Sequence, residues 1–329
     1  MRKLALLLVV ILGLAPGTWL RSPRPPANQQ QILGFVELPV PAVDLGPLEP
    51  AGAWVLDSPN DTFGGYSALT PLGDGSLLAA SDKGSILRFS PPGMLQGGIT
   101  IGYSGQDPNR PKWQLDSESL TRDPATGRLW FGFEGDNRIE RFDADFRGRA
   151  AVRPAAMRGW PGNSGPEAMV RLADGRFVVL AEGTHRWFDG EVPGLLFRSD
   201  PVTGIAPLQF RFVPPAGYQP VDLAQLPDGR VLILLRRVVW GLPPGFAGKL
   251  MLAEPRAIRA GQRWPATLLA NLAAPLPSDN YEGLAVVPDS AGTTLWLISD
   301  DNDSLFQRTL LLKLRWRANA KARGNFRAP

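Results

Sequence analysis

Cysteine is absent from the chain, and histidine occurs once, at His185. Disulfides, thiolate metal sites, cysteine nucleophiles and a lipidated cysteine anchor are therefore excluded. Zinc is disfavoured, because only oxygen ligands and one imidazole are on offer. A Ser-His-acid triad would have to use His185, and neither a G-x-S-x-G elbow nor a phosphate-cradling P-loop occurs. Helical periodicity is missing from the body of the chain. The apolar run near the start, Leu4–Leu14, is too short for an ordinary membrane span.

Acid is missing from both ends. Residues 1–30 carry Arg2, Lys3, Arg21 and Arg24 without a carboxylate, and everything after Leu314 is likewise only basic. The formal charge of +4 over 329 residues therefore hides a body, residues 31–314, with 26 bases against 31 acids. A nucleic-acid-binding protein carries its basic face on the folded body, so no nucleic-acid partner is expected.

What is abundant is glycine (36) and proline (33), which suits many short strands joined by tight turns. Ten Trp and fifteen Phe against four Tyr point to bulky packing between sheets. At the start, Arg2-Lys3, the apolar run and Ala15-Pro16-Gly17 read as a charged region, a hydrophobic region and a break. Residues 1–20 are thus read as a signal peptide or an uncleaved N-terminal anchor, and 21–31 as a Pro- and Gln-rich linker. The folded domain is placed at 32–316 and a basic tail at 317–329. The expected location is periplasmic or secreted, with membrane contact only through an uncleaved N-terminal segment.

Internal repetition is the most informative feature. Units open at Ser67-Ala-Leu, Glu118-Ser-Leu, Glu167-Ala-Met, Asp222-Leu-Ala and Glu282-Gly-Leu, at spacings of 51, 49, 55 and 60 residues. Each opening leads into a turn: Gly73-Asp-Gly, Pro124-Ala-Thr-Gly, Ala173-Asp-Gly, Pro227-Asp-Gly, then Pro288-Asp-Ser-Ala-Gly. Asp-Gly between apolar runs is a hairpin signal, because the turn needs residues that tolerate positive φ. A strand-like run follows each turn, then a polar loop and a third strand, with a fourth at 98–103, 205–212 and 265–272.

Four antiparallel strands per unit is the pattern of a β-propeller blade, so the fold class is an all-β propeller. Five units are visible, and strands at 32–38 and 54–56 are available to complete the last blade and close the ring. Five or six four-stranded blades fit. Dividing residues 30–314 by six gives a normal small blade, which favours six, with 243–272 as a degenerate one.

Strands that alternate in direction place the loop before each first strand and the loop after each second strand on one face. Ser67, Asp116, Glu118, Glu167, Asp222 and Glu282 are therefore expected around one mouth of the central channel. From the other loops come Asp82, Lys83, Glu134–Arg138, Glu182–Arg186, Arg236, Arg237 and Asp300–Asp303. Such a ring of carboxylates repels itself unless cations offset it. Lys83, Arg138, Arg186, Arg236 and Arg237 can pair with the acids, and a hard cation such as Ca2+ suits an oxygen-only donor set. Carboxylates, a metal and guanidinium groups together suit an anionic ester.

Plainer roles exist for the same residues. Asp136-Asn137-Arg138 and Asp300–Asp303 also make ordinary turns, Glu118, Glu167 and Glu282 also cap inner strands, and His185 also serves as a surface histidine.

The words Asn280-Tyr-Glu-Gly-Leu-Ala, Ser299-Asp-Asp-Asn and Gln307-Arg-Thr-Leu-Leu-Leu resemble the closing blocks of the bacterial family called esterase-like activity of phytase. Gly64-Gly-Tyr-Ser67-Ala-Leu and Ser81-Asp-Lys resemble its opening block, and Gly165-Pro-Glu167-Ala-Met its middle block. The resemblance runs from about residue 60 to 316. It implies a secreted, calcium-supported propeller with phosphatase- or esterase-like hydrolysis. It also carries over Glu118, Glu167, Glu282, Asp300, Asp301 and Asn302 as acidic and amide positions, with Arg308 as a family position. This sequence departs from the pattern at Asp222, where Glu is usual, and at Ser67-Ala68, where Ser-Gly is usual.

The resulting expectation is an exported hydrolase of phosphoric or carboxylic esters, acting as a monomer on a small anionic substrate. Glu118, Glu167 and Glu282 are assigned to catalysis, Lys83, Arg138 and Arg186 to the substrate, and Asp300, Asp301 and Asn302 to the metal. The rivals are a non-catalytic propeller that binds a ligand or protein in the periplasm, and a calcium-dependent lactonase-like propeller.

Overall fold

A computed structural model describes residues 27–94, 97–103, 109–160, 164–183, 190–289 and 292–317. Their strands fall into five antiparallel sheets, each one blade of a β-propeller. Blade 1 is β3 (Tyr66–Pro71), β4 (Leu77–Ser81), β5 (Ser85–Phe89) and β6 (Thr100–Tyr103). Blade 2 is β7 (Ser117–Arg122), β8 (Leu129–Phe133), β9 (Arg138–Phe142) and β10 (Arg149–Val152). Blade 3 is β11 (Ala168–Arg171), β12 (Phe177–Leu180), β13 (Val192–Phe197) and β14 (Leu208–Phe212). Blade 4 is β15 (Gln219–Gln225), β16 (Val231–Val239), β17 (Gly245–Ala253) and β19 (Ala266–Leu272).

Blade 5 closes the ring. Its inner strands β20 (Asn280–Asp289), β21 (Gly292–Asp300) and β22 (Leu310–Trp316) come from the end of the chain. Its outer strands β2 (Leu48–Asp57) and β1 (Gly34–Glu37) come from the start, and β2 runs antiparallel to β22 from Leu48↔Trp316 to Val55↔Leu310. Pairing the two ends in one sheet covers what would otherwise be an open edge.

There are five blades, not six, among the described residues. The segment expected to hide a degenerate blade instead lengthens blade 4, since β16 and β17 run to nine residues each. Residues 254–265 then detour through β18 (Arg263–Trp264), which pairs in parallel with β14 of blade 3. Dividing length by blade number failed because one blade absorbed the excess.

The hairpin turns follow the sequence signals. Gly75, Gly127, Gly175 and Gly229 all take φ between +76° and +91°. In three of the turns the preceding aspartate accepts a hydrogen bond from the amide two residues on: Asp74 from Ser76, Asp174 from Arg176 and Asp228 from Arg230.

Second strands such as β4, β8 and β12 are buried along their whole length, because blades stack on both of their faces. This explains why they read as continuous apolar runs rather than alternating ones. Five hydrophobic clusters lie between neighbouring blades. Leu78 and Ala80 of blade 1, for example, meet Phe131 and Phe142 of blade 2. Trp130 of blade 2 meets Phe177 of blade 3 edge-on, with ring centroids 5.0 Å apart. The aromatic residues pack between sheets as their abundance suggested.

Residues 1–26 and 318–329, which hold the leader and nearly all of the basic tail, lie outside the described residues. At the end of the stretch read as a linker, Gln31 exchanges two hydrogen bonds with the backbone of Ile101, and Asn28 and Gln30 bond to Asp61 and Asn60.

Candidate functional site

Each inner strand enters its blade through an irregularity at the same place. In blades 1, 2, 4 and 5 a β-bulge leaves one residue unpaired with the second strand: Ser67, Glu118, Val221 and Glu282. In blade 3 the ladder begins at Ala168↔Leu180, so Glu167 stands in the equivalent position. A bulge turns its side chain out of the alternation of the strand. On each bulged blade's second strand, the residue one beyond the partner of the residue preceding the bulge forms a companion set, Asp82, Glu134, Arg236 and Asp300, with Glu182 beside Glu167 in the corresponding place of blade 3. Two five-membered rings thus surround one mouth of the channel.

Blade 4 breaks both rings. Its bulge holds buried Val221, and its second strand supplies Arg236 where the other blades supply a carboxylate. Seven carboxylates remain, joined by Asp116, which the short helical turn Lys112–Leu115 delivers next to Glu118. The backbone N–H of Glu134 donates to the Asp116 carbonyl at 3.0 Å, which fixes the two acidic loops against each other.

Arg236 is the central cation of the rings. It lies 2.8 Å from the Glu182 carboxylate and 3.1 Å from that of Glu282, whose Oε1 also accepts from Asn280 Nδ2 at 2.7 Å. At the rim, Lys112 pairs with Asp82 at 3.0 Å. Two cations placed this way do not balance eight acids. Burial and mutual repulsion therefore raise the carboxyls of Glu118, Glu167 and Asp300 well above the usual range. Burial, then Asp116 and Glu182, lift Glu134 to about 7, against partial opposition from Lys112 and Arg236. Glu282 is raised by burial, with Arg236 and Asn280 holding it back.

Two groups of carboxylate oxygens lie within 4.8 Å of one another: Asp116, Glu118 and Glu134, and Glu134, Glu167 and Glu182. Glu134 belongs to both. The donors are all hard oxygens and the charge excess is negative, so the chemistry fits a hard divalent cation such as Ca2+ or Mg2+ and not zinc. Ser67 adds an independent sign. At the blade 1 position equivalent to Glu118 and Glu282, its Oγ is buried without a hydrogen-bond partner among the described residues.

The three glutamates assigned to catalysis from sequence are brought together here. Of the three residues assigned to a metal, only Asp300 joins the cluster. The Asp301 carboxylate accepts from Gly65 N–H at 3.2 Å, Asp303 N–H at 3.1 Å and the Thr309 hydroxyl at 2.7 Å, which ties blade 5 to the start of blade 1. Gly65 takes φ +70°, and a Cβ there would sit 2.4 Å from Asp82 Oδ1, so this close approach requires glycine. Asn302 is exposed at φ +50° in the turn, and its N–H donates to Asp300.

Two of the three cations assigned to the substrate are already committed. Lys83 is paired with Asp303. Arg138 is buried between Asp136 and Glu140, each at 2.6 Å, donates to the Gln114 carbonyl at 3.0 Å and stacks 4.3 Å above Phe133. Arg186 and His185 lie outside the described residues. Arg308 is exposed, and its N–H donates to Asp279 at 3.2 Å.

Asp222 does not face the acidic mouth. One residue past the bulge, it is buried in the channel, accepting from the N–H groups of Leu223 at 2.8 Å and Leu284 at 2.7 Å. Burial raises its carboxyl well above the usual range, and the amides of Leu284, Leu223 and Leu69 oppose that. Aligning the fourth repeat on its acid rather than on its bulge shifted the register by one. The residues that received no role from sequence, Glu134 and Glu182 above all, had a signal there: each is the polar residue that ends a buried second-strand run.

A family model described as "Phytase-like: Esterase-like activity of phytase" matches residues 61–303. No curated protein matches the chain. Among solved structures, a glutaminyl cyclase of Myxococcus xanthus is 12% identical with a TM-score of 0.47, over 82% of this chain and 95% of that one. A nidogen/laminin complex gives 12% identity and a TM-score of 0.43, over 81% of this chain and 84% of that one. Hydrazine synthase of Kuenenia stuttgartiensis gives 11% and 0.40 over 71% of this chain, which spans 56% of that one.

Proposed function

The chain belongs to the phytase-like family named for the esterase-like activity of phytase, and on that premise we propose that it is an exported hydrolase of phosphoric or carboxylic esters supported by a divalent cation. The observation that carries this reading is the sharing of Glu134 between two carboxylate triplets in a ring whose own cations leave it strongly negative. Export is supported by the leader-like segment Arg2–Gly17.

Asp116, Glu118, Glu134, Glu167 and Glu182 would hold the cation. When bound, it polarises the ester oxygen and acidifies a water molecule. The protein's own contribution begins with Arg236, which pins Glu182 and Glu282 in place and opposes the burial that raises Glu282. Glu134 is lifted to about 7 in the cation-free protein, so binding the cation would release its proton near neutrality and leave the carboxylate ionised as a ligand. Ser67 Oγ offers a free polar contact on the blade 1 side.

The test uses the chain from residue 27 onward with aryl phosphate, phytate and aryl acetate, in calcium and again after chelation. Calcium-dependent release from one class, reduced about 100-fold or more in Glu134→Gln, is the expected result. No turnover on any class, with calcium still raising the melting temperature, would replace the hydrolase with a binding propeller whose cation is structural.

A further inference from the structure

The channel has a second mouth, on the face of the Asp-Gly turns, and its chemistry is the reverse of the first. A cavity of about 200 Å³ opens there, floored by one apolar side chain from the inner strand of each blade: Leu69, Leu120, Val170, Leu223 and Leu284. Two cations line it, Arg122 at the end of β7 and Arg171 at the end of β11. Arg171 lies 3.5 Å from Asp123, a loose pair. The Arg122 side chain is half-buried and makes no hydrogen bond or ion pair with a described residue, although Asp123 feels its charge; its guanidinium lies beside the Gly73 and Gly127 turns, where it also borders the cleft between blades 1 and 2.

We propose that this back mouth is a binding site for a small organic monocarboxylate with an apolar body, distinct from the acidic site. A guanidinium partly removed from water and lacking a full partner gains from an anion that accepts its hydrogen bonds. The floor below it gains from an apolar group. The volume selects the size: an apolar cavity of about 150 Å³ holds benzene in another protein, so benzoate is of the right order. A polyphosphate would leave the five-sided apolar floor unfilled.

None of the acidic ring residues lines this cavity. Asp222, just below its floor, has its carboxylate on the amides of Leu223 and Leu284. A carboxylate at the back mouth would touch none of the residues assigned to the acidic site, so the proposal stands or falls apart from the hydrolase reading.

The experiment is calorimetric or NMR titration of metal-stripped protein with benzoate, benzamide and benzylamine. Stripping removes any cation at the front mouth that would itself attract benzoate. Benzoate is expected to bind at one site in the millimolar range, benzamide about tenfold or more weaker, as loss of a charge-assisted hydrogen bond implies. Benzylamine should show no saturable binding. Arg122→Gln should weaken benzoate by about the same factor and leave benzamide unchanged, and Arg122→Lys should recover part of the loss. The calcium-induced shift in melting temperature should be the same in Arg122→Gln as in the parent chain. Equal benzoate affinity in the parent and Arg122→Gln, or no saturable benzoate binding to the parent, would overturn the proposal.

Discussion

At the scale of single residues, the site is organised by exceptions. Four blades present acids at the mouth, and the fourth presents Val221 and Arg236. One guanidinium thereby pairs with Glu182 and Glu282 and opposes the rise that burial imposes on the Glu282 carboxyl. Breaking a largely buried ion pair from one side leaves uncompensated charge, so Arg236→Ala should lose about 3–5 kcal/mol at neutral pH. Urea denaturation of metal-stripped protein measures the loss, which should shrink in acid as Glu282 takes up a proton. Asp222 presents the opposite case, a carboxylate kept for its acceptors. Asp222→Ala strands two buried amides and should cost about 3 kcal/mol by thermal unfolding, whereas Asp222→Asn, which retains one acceptor oxygen, should cost less. An alanine variant as stable as the parent would show that the aspartate does not pin blades 4 and 5.

At the scale of elements, the bulge is what converts a repeat into a site. An unbulged inner strand would send Glu118 and Glu282 into the alternation of β7 and β20 instead of holding them out at the mouth. The closing strands matter as much. Without β2, the edge of β22 from Leu310 to Trp316 has unpaired backbone groups beside an apolar surface, which invites association between chains. A chain starting after Asp57 should therefore elute as aggregates in gel filtration. A chain starting after β1, which contributes only four outer residues, should elute as the full chain does.

At the scale of the whole molecule, the front mouth stores repulsion. The carboxyls of Glu118, Glu134, Glu167, Glu282 and Asp300 are all raised in the folded chain. The folded state therefore binds more protons than the unfolded one above the ordinary carboxylate range. Their contribution to stability is full below that range and is lost as pH rises toward about 7, where Glu134 ionises. Metal-stripped protein should thus melt at a lower temperature at pH 8 than at about pH 5, and a divalent cation should restore more stability at the higher pH. A melting temperature that rises with pH in the absence of metal would contradict this charge distribution. The back mouth carries the opposite sign, so one channel presents two unlike ends.

The repeat of apolar runs and Asp-Gly turns sufficed to identify a propeller, because turn chemistry and strand period are local properties that each unit states for itself. The family resemblance and the acidic face were legible for the same reason: Glu118, Glu167 and Glu282 recur at fixed distances from their turns. Tertiary structure alone decided the number of blades, since the surplus length went into β16, β17 and the detour through β18 rather than a new sheet. It also decided which polar residues are spent. Arg138, Lys83 and Asp301 look available in sequence, yet each is consumed by partners from other segments: Gln114, Asp303 and Gly65. A one-residue bulge set Val221 rather than Asp222 in the ring, and the distance to the turn, Val221 to Pro227 as Glu118 to Pro124, was the local signal that separates the two. Composition and period report what a segment prefers, whereas a side chain's partner depends on which distant segment the closed ring brings beside it.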